Sequence, residues 1–162
     1  MKTKAIATLT LAAALAGCAA NPANDATSGS AVSTSPVANC NLPDVTGSGP
    51  IRPPMYVTGT FSDGQWMHQE HRRMSYKGDG IYQVIMDNEA GPVNFQFASM
   101  GWKPQFTVSG GRLNVGQEGK LIRGGFMKDT RISFNESGRY VWGFQVDADG
   151  KPLLAAIAQC AE

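Results

Sequence analysis

The position of the aromatic residues most constrains what this chain can fold into. All three Trp, four Tyr and seven Phe lie from Tyr56 onward, so the hydrophobic core has to be built there. In that region apolar residues alternate with polar ones. Val93, Phe95 and Phe97 oppose Asn94, Gln96 and Ala98; Tyr140, Trp142, Phe144 and Val146 oppose Val141 and Gln145. A period of two marks strands that bury one face. Ser62-Asp63-Gly64, Lys77-Gly78-Asp79-Gly80, Glu89-Ala90-Gly91-Pro92 and Asp147-Ala148-Asp149-Gly150 punctuate the runs as turns. The pattern predicts strands over 55–61, 74–76, 81–86, 93–98, 103–108, 113–115, 130–134, 138–147 and 153–159. No stretch beyond the first seventeen residues carries a helical period. Seven to nine strands in about 110 residues imply an all-β fold, an antiparallel β-sandwich of immunoglobulin-like outline.

The N-terminus has a different character. Lys2 and Lys4 precede a short apolar run, Ile6 to Ala14, which ends in Leu15-Ala16-Gly17-Cys18. The run is too short to span a bilayer, and its order is that of a secretory signal. The last four residues resemble the lipobox of bacterial lipoproteins. That resemblance implies cleavage before Cys18, acylation of Cys18 and anchoring in a membrane. Ala19 at the next position, by analogy with lipoprotein sorting in enterobacteria, implies the outer membrane of the cell envelope. Residues 19–39 hold no aromatic, Lys, Arg or Glu. Such a segment cannot bury enough apolar surface to offset its ordering entropy and is expected to act as a flexible tether. The expected organisation is a signal peptide over 1–17, a lipidated Cys and tether over 18–50, and a sandwich over 51–162. With Cys18 committed to lipid, Cys40 and Cys160 remain in an oxidising compartment and are predicted to form a disulfide, the alternative being two free thiols.

Charge and motifs remove most chemistries. A formal net charge of +1, with 17% charged residues, gives no basic surface for nucleic acid. At 162 residues the chain is too short for a (β/α)₈ barrel, which needs about 250. His68-Gln69-Glu70-His71 offers two imidazoles, but a zinc site needs a third ligand, and the segment reads as a solvated loop. Asp63, Asp79, Asp87, Asp147 and Asp149 sit in turns, where turn chemistry explains them. Ser99 lacks a Gly-x-Ser-x-Gly elbow, and neither Gly110-Gly111 nor Gly124-Gly125 opens a phosphate loop. No catalytic role, metal or cofactor is expected. Trp142 lies in an alternating strand and belongs to the core. Trp66 and Trp102, next to Gly and polar residues, are candidates for exposed indoles that stack on sugar rings. Gln96 and Lys103 are candidate partners for sugar hydroxyls.

Four segments then fall into a known order. Tyr56–Trp66 (YVTGTFSDGQW) is similar to the opening of the modules that precede pullulanase, isoamylase and glycogen-branching catalytic domains. Met74–Tyr82 (MSYKGDGIY) matches their strand–turn–strand, Gly91–Trp102 (GPVNFQFASMGW) their aromatic strand, and Gly138–Trp142 (GRYVW) their closing strand. The chain departs from the pattern at Ser62, in the longer run to Trp66, and at Gln96, where Lys is common. The resemblance is to a starch- or glycogen-binding module of the pullulanase-associated type. It implies a non-catalytic sandwich that binds α-glucan, with Trp66 and Trp102 as the platform. The alternative is an envelope lipoprotein that keeps the fold and docks a protein partner.

Overall fold

The computed structural model describes residues 34–161, and the expected lipidation site Cys18 lies outside them. Ten strands are formed: β1 (Met55–Phe61), β2 (Gly64–Gln65), β3 (Ser75–Gly78), β4 (Ile81–Asn88), β5 (Gly91–Ser99), β6 (Gln105–Val108), β7 (Glu118–Arg123), β8 (Thr130–Phe134), β9 (Gly138–Val146) and β10 (Pro152–Gln159). Every named pair is antiparallel. The strand order is β2-β1-β5-β6-β7-β10-β9-β4-β3, with β8 also on β5. This is the expected β-sandwich, made by curling one sheet. The curl happens in β7: Leu121–Arg123 pair with β6, whereas Glu118–Lys120 pair with β10.

The core lies between the layers, where the alternating residues meet. The ring of Phe95 stands edge-on to Trp142 at 4.9 Å, Phe97 packs on Phe144 at 5.0 Å, and Tyr82 stacks on Phe144 at 5.0 Å. Trp142 is fully buried and donates its indole N–H to Asn88 Oδ1 at 2.9 Å, so its one polar atom is satisfied. Tyr140 donates its hydroxyl to Glu136 O, four residues upstream, a tie like the tyrosine corner of immunoglobulin-like sandwiches.

Two differences from the sequence pattern concern single elements. Residues 113–115, expected as a strand, form a loop; Leu113 is buried and donates its N–H to Arg131 O. The strand in that region is β7, whose sequence EGKLIR buries only Leu121 fully and so shows no apolar alternation.

Cys40 and Cys160 are joined in a disulfide with Cα atoms 5.6 Å apart, which pins the segment before β1 to the end of β10. That segment crosses the outer face of β4 and β9. Gln83 donates to Pro36 O and Asn39 O and accepts from Leu42 N. Pro36 lies over Gly143, where an added Cβ would come within 2.4 Å of Pro36 O, so only glycine admits this crossing. The packing of the folded unit therefore begins upstream of the boundary expected at residue 51.

Candidate functional site

The opposite outer face, that of β1, β5 and β6, carries the candidate site. Register sets its floor. Thr58 pairs with Gln96 and Ala98 with Gln105, so these side chains share the face turned away from the core. Three turns rise around them: the β1–β2 turn with its continuation to Trp66, the β5–β6 turn with Trp102, and the β7–β8 loop, Gly124–Asp129. Together they enclose a half-open pocket of about 480 Å³ lined by Trp66, Trp102, Phe126, Met127, Gln96 and Asp129, with Gln105 and Gly125.

Backbone geometry turns the large side chains outward. Trp66, Trp102 and Met127 have φ of 59°, 60° and 61°, and they are three of the four non-glycine residues at positive φ among the described residues. Left-handed backbone costs an L-residue about 1–2 kcal/mol, and such outliers gather where a site needs them. Here each turn is closed by a backbone bond: Trp66 N donates to Gly59 O at 2.7 Å and Trp102 N to Ser99 O at 2.8 Å. The indoles end half-buried and the tip of the third loop is open, with Phe126 92% and Met127 80% exposed.

Each tryptophan has a support behind it. His68 lies with Nε2 2.8 Å from Ser99 O and meets the ring of Trp102 edge-on at 5.0 Å and that of Tyr56 at 5.3 Å. Arg72 serves the Trp66 turn. It is 2% exposed, its guanidinium lies 4.5 Å from the centre of the Phe61 ring, and it pairs with Asp63. Its Nη2 donates to Gly64 O and Met67 O, which flank Trp66. His71 Nε2 sits 2.9 Å from the other Asp63 oxygen. Burial would raise the Asp63 carboxyl, but the hydrogen bond and charge of Arg72 and the charge of His71 outweigh it and hold the group below its ordinary value of 3.8. The His68–His71 segment is therefore not a bare solvated loop: its residues and the adjoining Arg72 buttress both aromatic turns, and the two imidazoles go to different partners.

Of the four residues singled out by sequence, three line the pocket. Gln96 is 3% exposed and donates both amide hydrogens, to Gly125 O and to Asp129 Oδ1, each at 3.0 Å. The amide thus anchors the β7–β8 loop, and its Oε1 is left as a buried acceptor with no protein partner. Lys103 is exposed and stands outside the pocket, on the far side of Trp102. Sequence reasoning missed Phe126, Met127, Asp129 and Gln105. An apolar pair bracketed by Gly124-Gly125 and Lys128-Asp129 was the available signal for the first three.

The larger groove at the other end of the sandwich, about 980 Å³, runs beside Asp63, Asn88, Pro92 and Ser137. One face of its aromatic residue, Phe61, is covered by the Arg72 guanidinium, and no tryptophan lines the groove. The tryptophan pocket can do what that groove cannot. Its ring faces suit the apolar side of a pyranose, and the Asp129 carboxylate can accept hydrogen bonds from hydroxyl groups.

No family model and no curated protein matches the chain. Among solved structures it is similar to the ligand-induced structure of AmyP-SBD, a starch-binding domain. With 32% identity, a TM-score of 0.63 and an alignment covering 99% of this chain and 97% of that one, the protein belongs to the family of that starch-binding domain.

Proposed function

We propose that this protein is a non-catalytic lipoprotein of the bacterial envelope, anchored through lipid on Cys18, whose sandwich binds α-glucan in the pocket between Trp66 and Trp102. The observation that carries the reading is the pairing of two outward indoles with the Asp129 carboxylate in one pocket. Kinship with a starch-binding domain supports α-glucan as the ligand, and the ordered motifs over residues 56–142 support a module of the pullulanase-associated type. The indoles supply apolar contact with the pyranose faces. The Asp129 carboxylate sets the orientation by accepting hydrogen bonds, and Gln96 holds that carboxylate in place. Stacking with a few such bonds gives affinities of order 10⁻⁴–10⁻⁵ M.

The full chain, held in a detergent without a sugar headgroup, is to be run in native gels containing amylose, pullulan, glycogen or a cellulose derivative. Selective retardation by the α-glucans is the expected result. Equal mobility in every gel would overturn the reading. It would favour a protein-docking role, for which the 92% exposed Phe126 and 80% exposed Met127 would be the contact.

A further inference from the structure

The tryptophan pocket continues past Trp102. Trp102 and Gln105 also line a second trough of about 540 Å³, whose far walls include Arg52, Lys103, Arg123 and Asp149. The three cations come from separate segments, Arg52 before β1, Lys103 after Trp102, and Arg123 at the end of β7. All three are exposed. Among the described residues none of them enters an ion pair; the recorded pairs join His71, Arg72, Arg73 and Lys77 to other carboxylates. Asp149 is the one carboxylate lining the trough.

On a chain whose formal net charge is +1, three unpaired cations around one concavity are a concentration of positive potential. Hydroxyl groups of a neutral glucan do not require it. Guanidinium forks fit phosphate oxygens in paired hydrogen bonds, and an ammonium adds a point charge. The trough opens from the edge of Trp102, so a substituent on a sugar stacked there, or on its neighbour, would enter it. We propose that this trough is a subsite for a phosphate monoester carried on the glucan chain. The proposal rests on the glucan reading of the tryptophan pocket.

The test compares binding of the full chain, in the same sugar-free detergent, to a phosphorylated amylopectin and to the same polymer after phosphatase treatment. The expected result is about tenfold tighter binding to the phosphorylated polymer, the size of one charge-assisted hydrogen bond. The preference should vanish in Arg52→Gln/Arg123→Gln and in about 0.5 M salt, while binding to the treated polymer is kept. Asp149→Asn should widen the preference. Equal binding of both polymers overturns the subsite and leaves the glucan site standing. Binding of neither overturns the glucan reading and the subsite with it. A preference that survives in the double variant overturns the assignment to this trough. Capture by phosphatidylglycerol vesicles in place of phosphorylated glucan, lost in the double variant, would make the trough a contact for lipid headgroups and overturn the proposal.

Discussion

Arg72 donates from Nη1 to Oδ1 of Asp63 and from Nη2 to the carbonyls of Gly64 and Met67. One buried guanidinium thus ties the start, middle and end of the turn that presents Trp66. The turn needs such a tie, because the left-handed backbone at Trp66 is not a conformation the residue favours alone. The cation also lies over Phe61, which itself packs on Trp142, so the presenting turn is referenced to the core.

Arg72→Met keeps most of the apolar stem and removes the fork. It should cost about 2 kcal/mol, less than the ~3–5 kcal/mol for breaking a fully buried pair, because the Asp63 left behind reaches water. Glucan affinity should fall about tenfold, and quenching of Trp66 by iodide should rise. Unchanged quenching with weakened binding would show that the arginine acts otherwise than through Trp66.

Acid should act on the same pair. The Asp63 carboxyl is held below its ordinary value of 3.8 by Arg72 and His71. A group depressed in the folded state stabilises fully above its unfolded value, and that stabilisation disappears as pH falls through the folded one. The wild type should therefore keep its Tm from pH 7 to about 5 and lose part of it below about pH 4. Asp63→Asn should start from a lower Tm and lack that part of the acid-side fall. Parallel Tm–pH curves for the two proteins would remove Asp63 from the account.

Trp66→Ala and Trp102→Ala should each lower α-glucan affinity at least about tenfold, the usual cost of truncating an aromatic anchor. Both indoles are half-buried, so thermal stability should change far less than for Trp142→Ala, where emptying a fully buried site costs about 3–5 kcal/mol. Calorimetry with maltoheptaose and a thermal melt on each variant separate the two effects.

The sequence made the strands with β-branched and aromatic alternation legible: β1 and β8 occupy the residues expected, 55–61 and 130–134. It hid β7, because a strand that changes layers midway, with Glu118–Lys120 in one and Leu121–Arg123 in the other, never keeps one face buried long enough to alternate. The two site tryptophans were legible because each stands beside Gly and polar residues. The third wall was not. Phe126, Met127 and Asp129 are brought to the pocket by Gln96, about thirty positions earlier in the chain, and no local pattern encodes that bond. Lys103 stands apart from this pocket for a related reason. Following Trp102 in sequence puts it on the far side of the ring.

Reduction of the Cys40–Cys160 bridge should lower stability by about 4–5 kcal/mol in the chain-entropy model, since the bridge closes a loop with a sequence separation of 120. Cys40→Ser/Cys160→Ser should show that loss as a fall in Tm. Its glucan affinity below the transition should match the wild type, because the bridged segment packs on Gln83 and Gly143, on the face opposite the tryptophan pocket.

Gly124→Ala tests the anchoring of the β7–β8 loop by Gln96. The backbone at residue 124 is not in the left-handed region, so the substitution brings no conformational strain. The new methyl would stand 2.6 Å from Gln96 Oε1. The amide cannot turn aside freely, because its two hydrogens hold Gly125 O and Asp129 Oδ1. The amide therefore shifts, and the β7–β8 loop loosens with it. Glucan binding should weaken about five- to tenfold, and stability should fall by about 1–3 kcal/mol. Unaltered affinity in Gly124→Ala would mean that the loop anchored by Gln96 meets no ligand.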